Sequence, residues 1–471
     1  MIKIKKEGLL RMNKLKEKIA DFFDFKGNDT NYSKEIRGGI ITFLAMCYIL
    51  AVNPSILSAS GMPSNAVFIA TALSAGIATI LMGILAKLPF ALASGMGLNA
   101  FFAFTVCGVM GYSWQFALTA ILVEGLIFII LSLLGVREAI FKSIPKNLKY
   151  AVSIGIGFFI ALIGLLNAKI IVADPSTALA HFNFQGGNFN SVGITVLIAI
   201  VGIVITAILV NKKVPGGLLW GILGTWGIGM ICQAFGAYVP NPEMELYSLF
   251  PNFSEMINLG DLGETFMKFD LSALTNPEFW FVVFAFLFVD IFDTLGTLTG
   301  CAIEGDMLDK DGNLPGAKKA LLVDAIGTTV GACLGTSTIT TFVESSSGIA
   351  EGARTGFSAI ITGLLFILAL VLSPIFLAIP SFATAPALIL VGFFMMKSSA
   401  KEIDWDDFSE AIPAFMVMIM MPFSYSIATG IAYGFITYTL INLIVGNRKK
   451  VNWMMIVLTI LFIIKFALVG N

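Results

Sequence analysis

Long apolar segments follow one another from residue 36 to residue 445 and are separated by short polar turns. Crossing the ~30 Å hydrocarbon layer takes about 20 apolar residues, and most of these segments approach that length. This pattern predicts an all-α polytopic membrane protein with about 14 transmembrane segments. The predicted spans are Ile36–Ser58, Ala66–Leu88, Leu92–Val109, Trp114–Leu134, Leu148–Ala168, Val192–Val210, Gly217–Phe235, Phe279–Gly300, Ala317–Gly335, Ile339–Ala350, Phe357–Ile379, Phe382–Lys397, Ala411–Tyr425 and Ile427–Val445.

Composition supports this class and excludes several others. Hydrophobic residues make up 57% of the 471 residues and charged residues 13%, and the mean hydropathy is +0.90, unlike a soluble domain of this length. The net charge of −1 does not favour a nucleic-acid partner. The five cysteines occur singly and the only histidine is His181, so neither a disulfide framework, a metal site nor a cofactor is predicted.

The distribution of basic residues predicts the orientation. With the N-terminus inside, the even-numbered connections should be cytoplasmic and carry lysine and arginine. The outer connections 169–190 and 237–277 contain only Lys169 and Lys268. We therefore expect a multi-pass protein of the cell membrane with both termini in the cytoplasm. The basic residues of the even connections are Lys87, Arg137, Lys142, Lys146, Lys149, Lys212, Lys213, Lys310, Lys318, Lys319, Arg354, Lys397, Lys401, Arg448, Lys449 and Lys450.

Both ends of the chain carry segments outside the predicted spans. Residues 1–35 are rich in lysine with interspersed apolar residues, which predicts a cytoplasmic tail able to lie on the membrane surface. Residues 447–471 form a C-terminal segment. Its apolar run, Trp453–Val469, is either an interfacial helix or a fifteenth span, and the sequence leaves both open.

The spans repeat at a fixed distance. The first and eighth begin 243 positions apart, at residues 36 and 279, and so do the fourth and eleventh, at 114 and 357. This predicts two seven-span repeats, 36–236 and 278–446, separated by an extracellular loop over 237–277. Because seven is odd, the second repeat must enter the membrane from the opposite side. Inverted repeats of this kind are typical of secondary transporters, whose sites lie between discontinuous helices at the midplane.

The stretch Gly335–Gly352, GTSTITTFVESSSGIAEG, breaks the apolar pattern inside the second repeat. Its first part is rich in β-branched residues and is predicted to be extended, and the part after Val343 is predicted to be helical. The corresponding stretch of the first repeat, Ala93–Gly108, is also short and interrupted by glycines, and Asn99 lies 245 positions before Glu344. Two interrupted segments in corresponding places predict a transport site. The alternative is a simple loop with Glu344 at a water interface.

Four further acidic residues fall within predicted spans. Asp290 and Asp293 are three residues apart in the eighth span, so both can face one side of a helix. Carboxylates in a span are costly unless they face a cavity or a partner, so both are candidates for the site; the alternative is that either one caps a neighbouring broken helix. Glu124 and Asp324 have neither a second acid nor a helix break beside them in sequence, and they are interpreted as structural or gating contacts between helices.

Three motifs resemble a known family: SGMGLNAFFAFT, FVDIFDTLGTL and TTFVESSSGIAEGARTG. Together they are similar to the AzgA-like branch of the nucleobase–cation symporter-2 family, over about Ile36 to Val445. The resemblance implies a proton-driven permease for adenine, guanine or hypoxanthine. It also implies a core domain of spans 1–4 and 8–11, a gate domain of spans 5–7 and 12–14, and short antiparallel strands in spans 3 and 10. Gate-domain homodimers of the resembled family leave a homodimer open here.

The resemblance also implies the residues of the site. Asp290 and Glu344 match the acids that contact the base, and Asn99 matches a polar residue of span three. A histidine of the uracil branch is replaced by Thr294, so the proton-coupling role falls to the carboxylates Asp290, Asp293 and Glu344. The remaining predicted substrate-binding residues are Phe342, Val343 through its backbone N–H, and Ser345.

The predicted function is therefore proton-coupled uptake of purine nucleobases by alternating access. An ionised carboxylate only accepts hydrogen bonds, which suits the N–H and amino donors of a purine. A same-fold transporter of uracil, xanthine or a small anion is the first alternative, and a passive channel is another. A membrane-embedded enzyme is the least favoured, because neither metal ligands nor a nucleophile–base pair accompanies the acids.

Overall fold

The computed structural model of the protein describes residues 14, 16–134, 144–174, 176–185, 188–241, 246–253, 257–310 and 314–468. Arg137 and Lys142 of the orientation argument, residues 1–13 of the predicted tail and Val469 lie outside the described residues. The structure is mostly helical, as predicted. Its α-helices are α1 (Tyr32–Met46), α2 (Ile49–Leu57), α3 (Ser64–Leu81), α4 (Met96–Ala100), α5 (Trp114–Leu134), α6 (Lys146–Asn167), α7 (Ile194–Asn211), α8 (Gly217–Ala234), α9 (Pro277–Glu304), α10 (Ala317–Leu334), α11 (Ser345–Ala350), α12 (Gly356–Leu368), α13 (Ser373–Phe376), α14 (Ser381–Ala400), α15 (Phe408–Phe423), α16 (Ile427–Val445) and α17 (Trp453–Leu468).

Three helices are flanked by π-helical turns, which are wider than α-helical turns. Wide π-helical turns extend α3 over Met82–Ala86, extend α4 over Phe101–Val109 and precede α7 over Phe189–Gly193. Within the described part of the chain, nine helical segments are long and apolar enough to cross a membrane, and four shorter apolar helices accompany them. The fourth predicted span agrees with α5 at both ends, at Trp114 and Leu134.

Two short strand pairs accompany the helices in the described part of the chain. Strands β1 (Leu92–Ser94) and β4 (Ile339–Thr341) pair antiparallel within the membrane-spanning part of the molecule. Strands β2 (Ile171–Asp174) and β3 (Ala178–His181) form a hairpin in the connection 169–190, which the sequence analysis did not predict. A turn that is stabilised locally explains the hairpin, because the Asp174 side chain accepts hydrogen bonds from backbone N–H groups just beyond it.

The β1–β4 pair is centred on Ala93 and Thr340, which lie opposite each other. Lipid supplies no hydrogen bonds to the outer edges of such a pair, so the protein must supply them. Thr79 of α3 donates to the Leu92 carbonyl at 3.0 Å and accepts from the Leu92 N–H at 2.9 Å. Thr328 of α10 does the same for Ile339, at 3.0 and 3.3 Å. One threonine hydroxyl therefore satisfies the outward-facing N–H and carbonyl of one residue in each strand.

Glycines allow helices from different parts of the chain to pack closely. A Cβ on Gly157 of α6 would lie 2.5 Å from the Gly392 carbonyl oxygen of α14, and one on Gly392 would lie 2.3 Å from the Gly157 carbonyl oxygen. Both distances are too short for a side chain. Small residues at such contacts let the two backbones approach and gain van der Waals contact.

The buried carboxylate of Glu35, in the first turn of α1, connects α1 to the start of α12. It accepts hydrogen bonds from the backbone N–H groups of Arg354 at 2.9 Å, Thr355 at 3.2 Å and Ser358 at 3.1 Å. These groups lie at the start of α12, where a helix has free N–H donors and a positive end. Glu35 thus caps a helix that is more than 300 residues away in sequence.

The described part of the predicted tail packs against the protein near this cap. The rings of Phe23 and Phe25 are buried, and each lies 5.8 Å from the ring of Phe357 in α12. Lys87 donates to the Phe22 carbonyl at 2.7 Å and lies over the Phe22 ring. The tail is therefore held by apolar and cation–π contacts to the helix bundle.

The C-terminal helix α17 packs against α16. Its Phe462 ring lies 5.8 Å from the Phe435 ring of α16 and 5.8 Å from the Phe284 ring of α9. Before α17, Lys450 donates to the carboxylate of Asp407 at 2.6 Å. This bond, with hydrogen bonds from Ser409, lowers the pKa of Asp407 to about 2.

Candidate functional site

The β1–β4 pair positions two helix starts close together. Helix α4 begins at Met96, two residues after β1, and α11 begins at Ser345, four residues after β4. The pairing extends beyond the strands, because the Gly95 N–H donates to the Thr338 carbonyl and the Phe342 N–H donates to the Ala91 carbonyl, each at 3.0 Å. The two broken segments predicted from the sequence therefore meet.

Four polar side chains from three elements converge on one side of this pair. The Thr294 hydroxyl of α9 lies 2.9 Å from Asp290 Oδ1, 3.0 Å from Asp324 Oδ1 of α10 and 2.9 Å from Thr340 Oγ1 of β4. All four residues are buried. Thr294 therefore links the acid of the eighth span to the strand pair and to a second acid.

Within this cluster the Thr294 hydroxyl lies within hydrogen-bond distance of two carboxyl groups. A hydroxyl carries one donor hydrogen and two acceptor lone pairs, so Thr294 can donate to Asp290 or to Asp324 but not to both. If one of the two carboxyl groups is protonated, that group can donate back to Thr294, and each contact becomes a hydrogen bond. The arrangement can therefore hold a proton between Asp290 and Asp324.

Asp293 lies beside this cluster on the same helix and is half-buried. A Cβ on Gly95 would lie 3.4 Å from Asp293 Oδ2, so the carboxylate faces the turn between β1 and α4. Asp293 is also near enough to Asp324 and Glu344 for their charges to act on it. Asp290 and Asp293 thus both face the strand pair.

Glu344 lies immediately before α11 and is half-buried. Its Oε1 accepts a hydrogen bond of 2.7 Å from the hydroxyl of Tyr48. Tyr48 is fully buried at the break between α1 and α2. Hydrogen bonds to a charged acceptor are roughly twice as strong as neutral ones, so this tyrosine fixes the direction of the carboxylate.

Asn99 lies in α4, fully buried, and belongs to a second polar network. Its Oδ1 accepts from the Ser94 hydroxyl at 2.9 Å, and Ser94 Oγ lies 3.2 Å from Thr336 Oγ1. Thr336 in turn accepts from Asn53 of α2 at 2.9 Å, and Asn53 also donates to Thr71 of α3. Asn99 is thus joined to the strand pair through Ser94 rather than to the carboxylates directly.

The other predicted residues are Phe342 and Val343, between β4 and α11, and Ser345, the first residue of α11. The Phe342 ring is buried, whereas Val343 is 46% exposed. The Ser345 hydroxyl accepts a hydrogen bond from the Ala91 N–H at 3.0 Å, so it contacts the residue that immediately precedes β1. The structure therefore gives Ser345 a pairing contact between the two broken segments.

Sequence reasoning did not single out Tyr48, and it interpreted Asp324 and Glu124 as structural or gating contacts between helices. Tyr48 carries no sequence signal, because an isolated tyrosine in an apolar span is ordinary. Asp324 has no acid beside it in sequence, and the signal that points to it is a carboxylate inside a span. Glu124 of α5 accepts from the Thr338 hydroxyl at 2.8 Å, so it too contacts the chain entering β4.

The site contains no metal-binding arrangement within the described ranges, where no group of three His, Cys, Asp or Glu residues could hold a metal ion. The five cysteines are free thiols. The side chains described above offer hydrogen bonding, proton binding and apolar contact.

Comparisons with known proteins agree on the class. The Xan_ur_permease family, a permease family, matches residues 33–433. The guanine/hypoxanthine permease PbuG of Bacillus subtilis is 46% identical over 95% of this chain and 99% of its own. The adenine permease AdeQ of Escherichia coli K12 is 39% identical, with 96% of each chain covered.

The fold resembles that of a solved membrane transporter. The transmembrane domain of the cyanobacterial bicarbonate transporter BicA superimposes with a TM-score of 0.61, covering 85% of this chain and 97% of that one at 15% identity. The relatives are permeases and this neighbour is a transporter, so the chain is a multi-pass transporter and not an enzyme. The match over residues 33–433 shows that this chain belongs to the Xan_ur_permease family.

Proposed function

We propose that this permease takes up purine nucleobases together with protons, at the carboxylates gathered around the β1–β4 pair. The relatives PbuG and AdeQ are named as guanine/hypoxanthine and adenine permeases, so the substrate class is taken from them. The observation that carries the proposal is the convergence of Asp290 and Asp324 on the Thr294 hydroxyl next to the strand pair.

The base binds between the two broken segments. The carboxylates of Asp290 and Glu344 accept hydrogen bonds from ring N–H and amino groups of the purine, and Asp293 lines the approach on the same side. Phe342 provides an apolar contact, and the exposed residue Val343 and the hydroxyl of Ser345 bound the pocket. The polar network of Asn99 supports the opposite segment.

We assign proton coupling to the two carboxyl groups that contact the Thr294 hydroxyl. One proton bound between Asp290 and Asp324 completes the hydrogen bonds of Thr294 and neutralises one of two neighbouring negative charges. Like charges close together favour uptake of a proton, and so does burial. The loaded site is then less charged, which lowers the cost of moving it through an apolar environment.

The fold supports alternating access in a 14-span inverted repeat. Thr79 and Thr328 make the same pair of hydrogen bonds to Leu92 and Ile339, and these come from corresponding spans of the two proposed halves. In this proposal the core domain of spans 1–4 and 8–11 moves against the gate domain of spans 5–7 and 12–14. Both termini are cytoplasmic and the protein resides in the cell membrane, in line with the distribution of lysine and arginine. The proposal does not require a homodimer.

Transport into sealed vesicles tests the proposal. The purified protein is reconstituted, and uptake of labelled adenine, guanine, hypoxanthine and bicarbonate is measured with and without an inward proton gradient. We expect uptake of at least one purine, stimulated by the gradient, and none of bicarbonate. A rate of purine uptake that is the same with and without the proton gradient would refute proton coupling. Bicarbonate uptake without purine uptake would refute the substrate class.

Asp290→Asn separates the role of the site from the fold. The substitution keeps the size of the side chain and removes its charge, so we expect a folded protein without gradient-driven uptake. Glu402→Gln is the matched control, because Glu402 is an exposed acid that pairs with Lys146 away from the strand pair. Full gradient-driven uptake by Asp290→Asn would contradict the role of this carboxylate.

A further inference from the structure

A large cavity lies where the connection between α9 and α10 meets the ends of α3 and α5. Its volume is about 1050 Å³, and it is bounded by the π turn after α3, the end of α5, the last turns of α9 and the start of α10. On α9 its lining begins at Leu295, just over one turn beyond Asp290 and directly after Thr294, and continues to Thr299. It belongs to none of the contacts used in the proposed transport site.

The cavity has an apolar wall and a positively charged rim. Of the 21 described residues that line it, nine are leucines, four are lysine or arginine, and none is acidic. Glu304, Asp306 and Asp309 lie in the same connection between α9 and α10 but do not line it. The cavity therefore complements a ligand that is both apolar and anionic.

Two of the basic side chains are already held by the protein. Lys87 donates to the Phe22 carbonyl at 2.7 Å, and Arg354 donates to the carbonyls of Ile349 and Ala353 at 2.6 and 2.8 Å. These two cations therefore provide a fixed positive background at the rim.

The other two, Lys318 and Lys319, are exposed in the first turn of α10. Among the described residues neither has an ion-pair partner. The first turn of α10 also has no acidic residue and no side-chain cap, and its N-cap is Gly316. Cations at the positive end of a helix are unfavourable by themselves, and an anion placed there would stabilise both.

We propose that this cavity binds an anionic phospholipid, with the headgroup phosphate on Lys318 and Lys319 and the acyl chains along the leucine wall. Basic pockets between transmembrane helices are where anionic headgroups bind. The wall continues onto the outer surface of the bundle, because Leu85 is 42% exposed and Leu133 is 57% exposed. A soluble phosphate would use the lysines but not this apolar surface.

The bound lipid contacts the two helices that carry the acidic cluster. Lys319 precedes Asp324 by five residues on α10, which corresponds to roughly 7.5 Å along the helix axis. Leu295 and Leu298 follow Asp290 on α9. The proposed lipid site shares no residue with the proposed transport site, although both lie on α9 and α10.

Lipid binding to the purified full-length protein tests the proposal. After delipidation in detergent, binding of phosphatidylglycerol and phosphatidylcholine is measured by native mass spectrometry for the natural protein and for Lys318→Gln/Lys319→Gln. Each lysine near an anionic lipid contributes about a fivefold preference, so we expect the double variant to bind phosphatidylglycerol roughly 25-fold more weakly. Lys212→Gln/Lys213→Gln, an adjacent exposed pair after α7 that is outside the cavity, should bind as the natural protein does.

Further arms identify the ligand and the wall. Glycerol 1-phosphate at the same concentration should not displace phosphatidylglycerol, and Leu85→Gln should weaken lipid binding without changing the thermal midpoint. Equal losses in the two lysine pairs, or no loss at Lys318 and Lys319, would overturn the site. Displacement by glycerol 1-phosphate would overturn the lipid in favour of a soluble phosphate.

Discussion

Thr328→Val should destabilise the strand pair far more than an ordinary buried threonine substitution does. Valine matches the shape of threonine, so packing is retained and only the hydroxyl is lost. That hydroxyl satisfies both the N–H and the carbonyl of Ile339, at 3.3 and 3.0 Å. A buried polar group left without a partner costs about 1–3 kcal/mol, so two such groups cost about 2–6 kcal/mol. Because the 3.3 Å bond is long, we expect a value in the lower half of this range.

The matched control is Thr225→Val in α8. Thr225 is also fully buried, but its hydroxyl donates only to the Gly221 carbonyl of its own helix, at 2.7 Å. That carbonyl keeps its helical hydrogen bond after the substitution, so we expect a change of less than about 1 kcal/mol. Thermal unfolding in detergent, followed by intrinsic fluorescence, ranks the two variants against the natural protein. Thr79→Val should resemble Thr328→Val, because it removes the same pair of bonds from Leu92.

Uptake by the same variants provides a second measurement. If the strand pair positions the site, Thr79→Val and Thr328→Val should both lose transport, whereas Thr225→Val should retain it. Equal thermal midpoints and equal uptake for all three variants would refute the reasoning that the membrane leaves these strand edges dependent on threonine.

Three further predictions concern other parts of the molecule. Tyr48→Phe removes one hydrogen bond to Glu344, worth about 1.5–3 kcal/mol, so purine binding measured by isotope competition should weaken by up to roughly 100-fold, and unchanged affinity would contradict the positioning role. Gly392→Ala should lower the thermal midpoint through overpacking worth about 1–3 kcal/mol, whereas Gly227→Ala, which faces open space, should not; equal midpoints would contradict the close helix contact. The pKa of Asp407 is lowered to about 2, so its ion pair stabilises the folded state above about pH 4 and ceases to do so as the pH falls towards 2. The difference in thermal midpoint between the natural protein and Asp407→Asn should therefore be constant from pH 5 to 8 and decrease below pH 4. A difference that increases on acidification would contradict this.

The sequence predicted the helical class well because membrane helices are selected by length and apolarity. The ends of α5 and of α16 agree with the predicted Trp114–Leu134 and Ile427–Val445. Internal breaks were harder to predict, since apolar residues continue through them. The first predicted span divides at Cys47 into α1 and α2, and Pro54 lies inside α2.

The region of the site was predictable, but its internal contacts were not. Polar residues at Gly335–Gly352 and at Asp290 stand out against an apolar background, because burying them has a cost. The pairing of Asp290 with Asp324 depends on how α9 and α10 pack, and that distance is not encoded in any local pattern. Tyr48 illustrates the same limit, since its contact with Glu344 joins residues 296 positions apart.

The cap that Glu35 places on α12 has a consequence for biosynthesis. Its three N–H partners lie 319, 320 and 323 positions later in the chain. At about 5–20 residues per second, the ribosome needs roughly 15–60 s to make them after Glu35 has emerged. During that interval the carboxylate must remain hydrated near the membrane surface while later helices are inserted. The packing of α1 against the start of α12 can therefore be completed only after residue 358 has been translated.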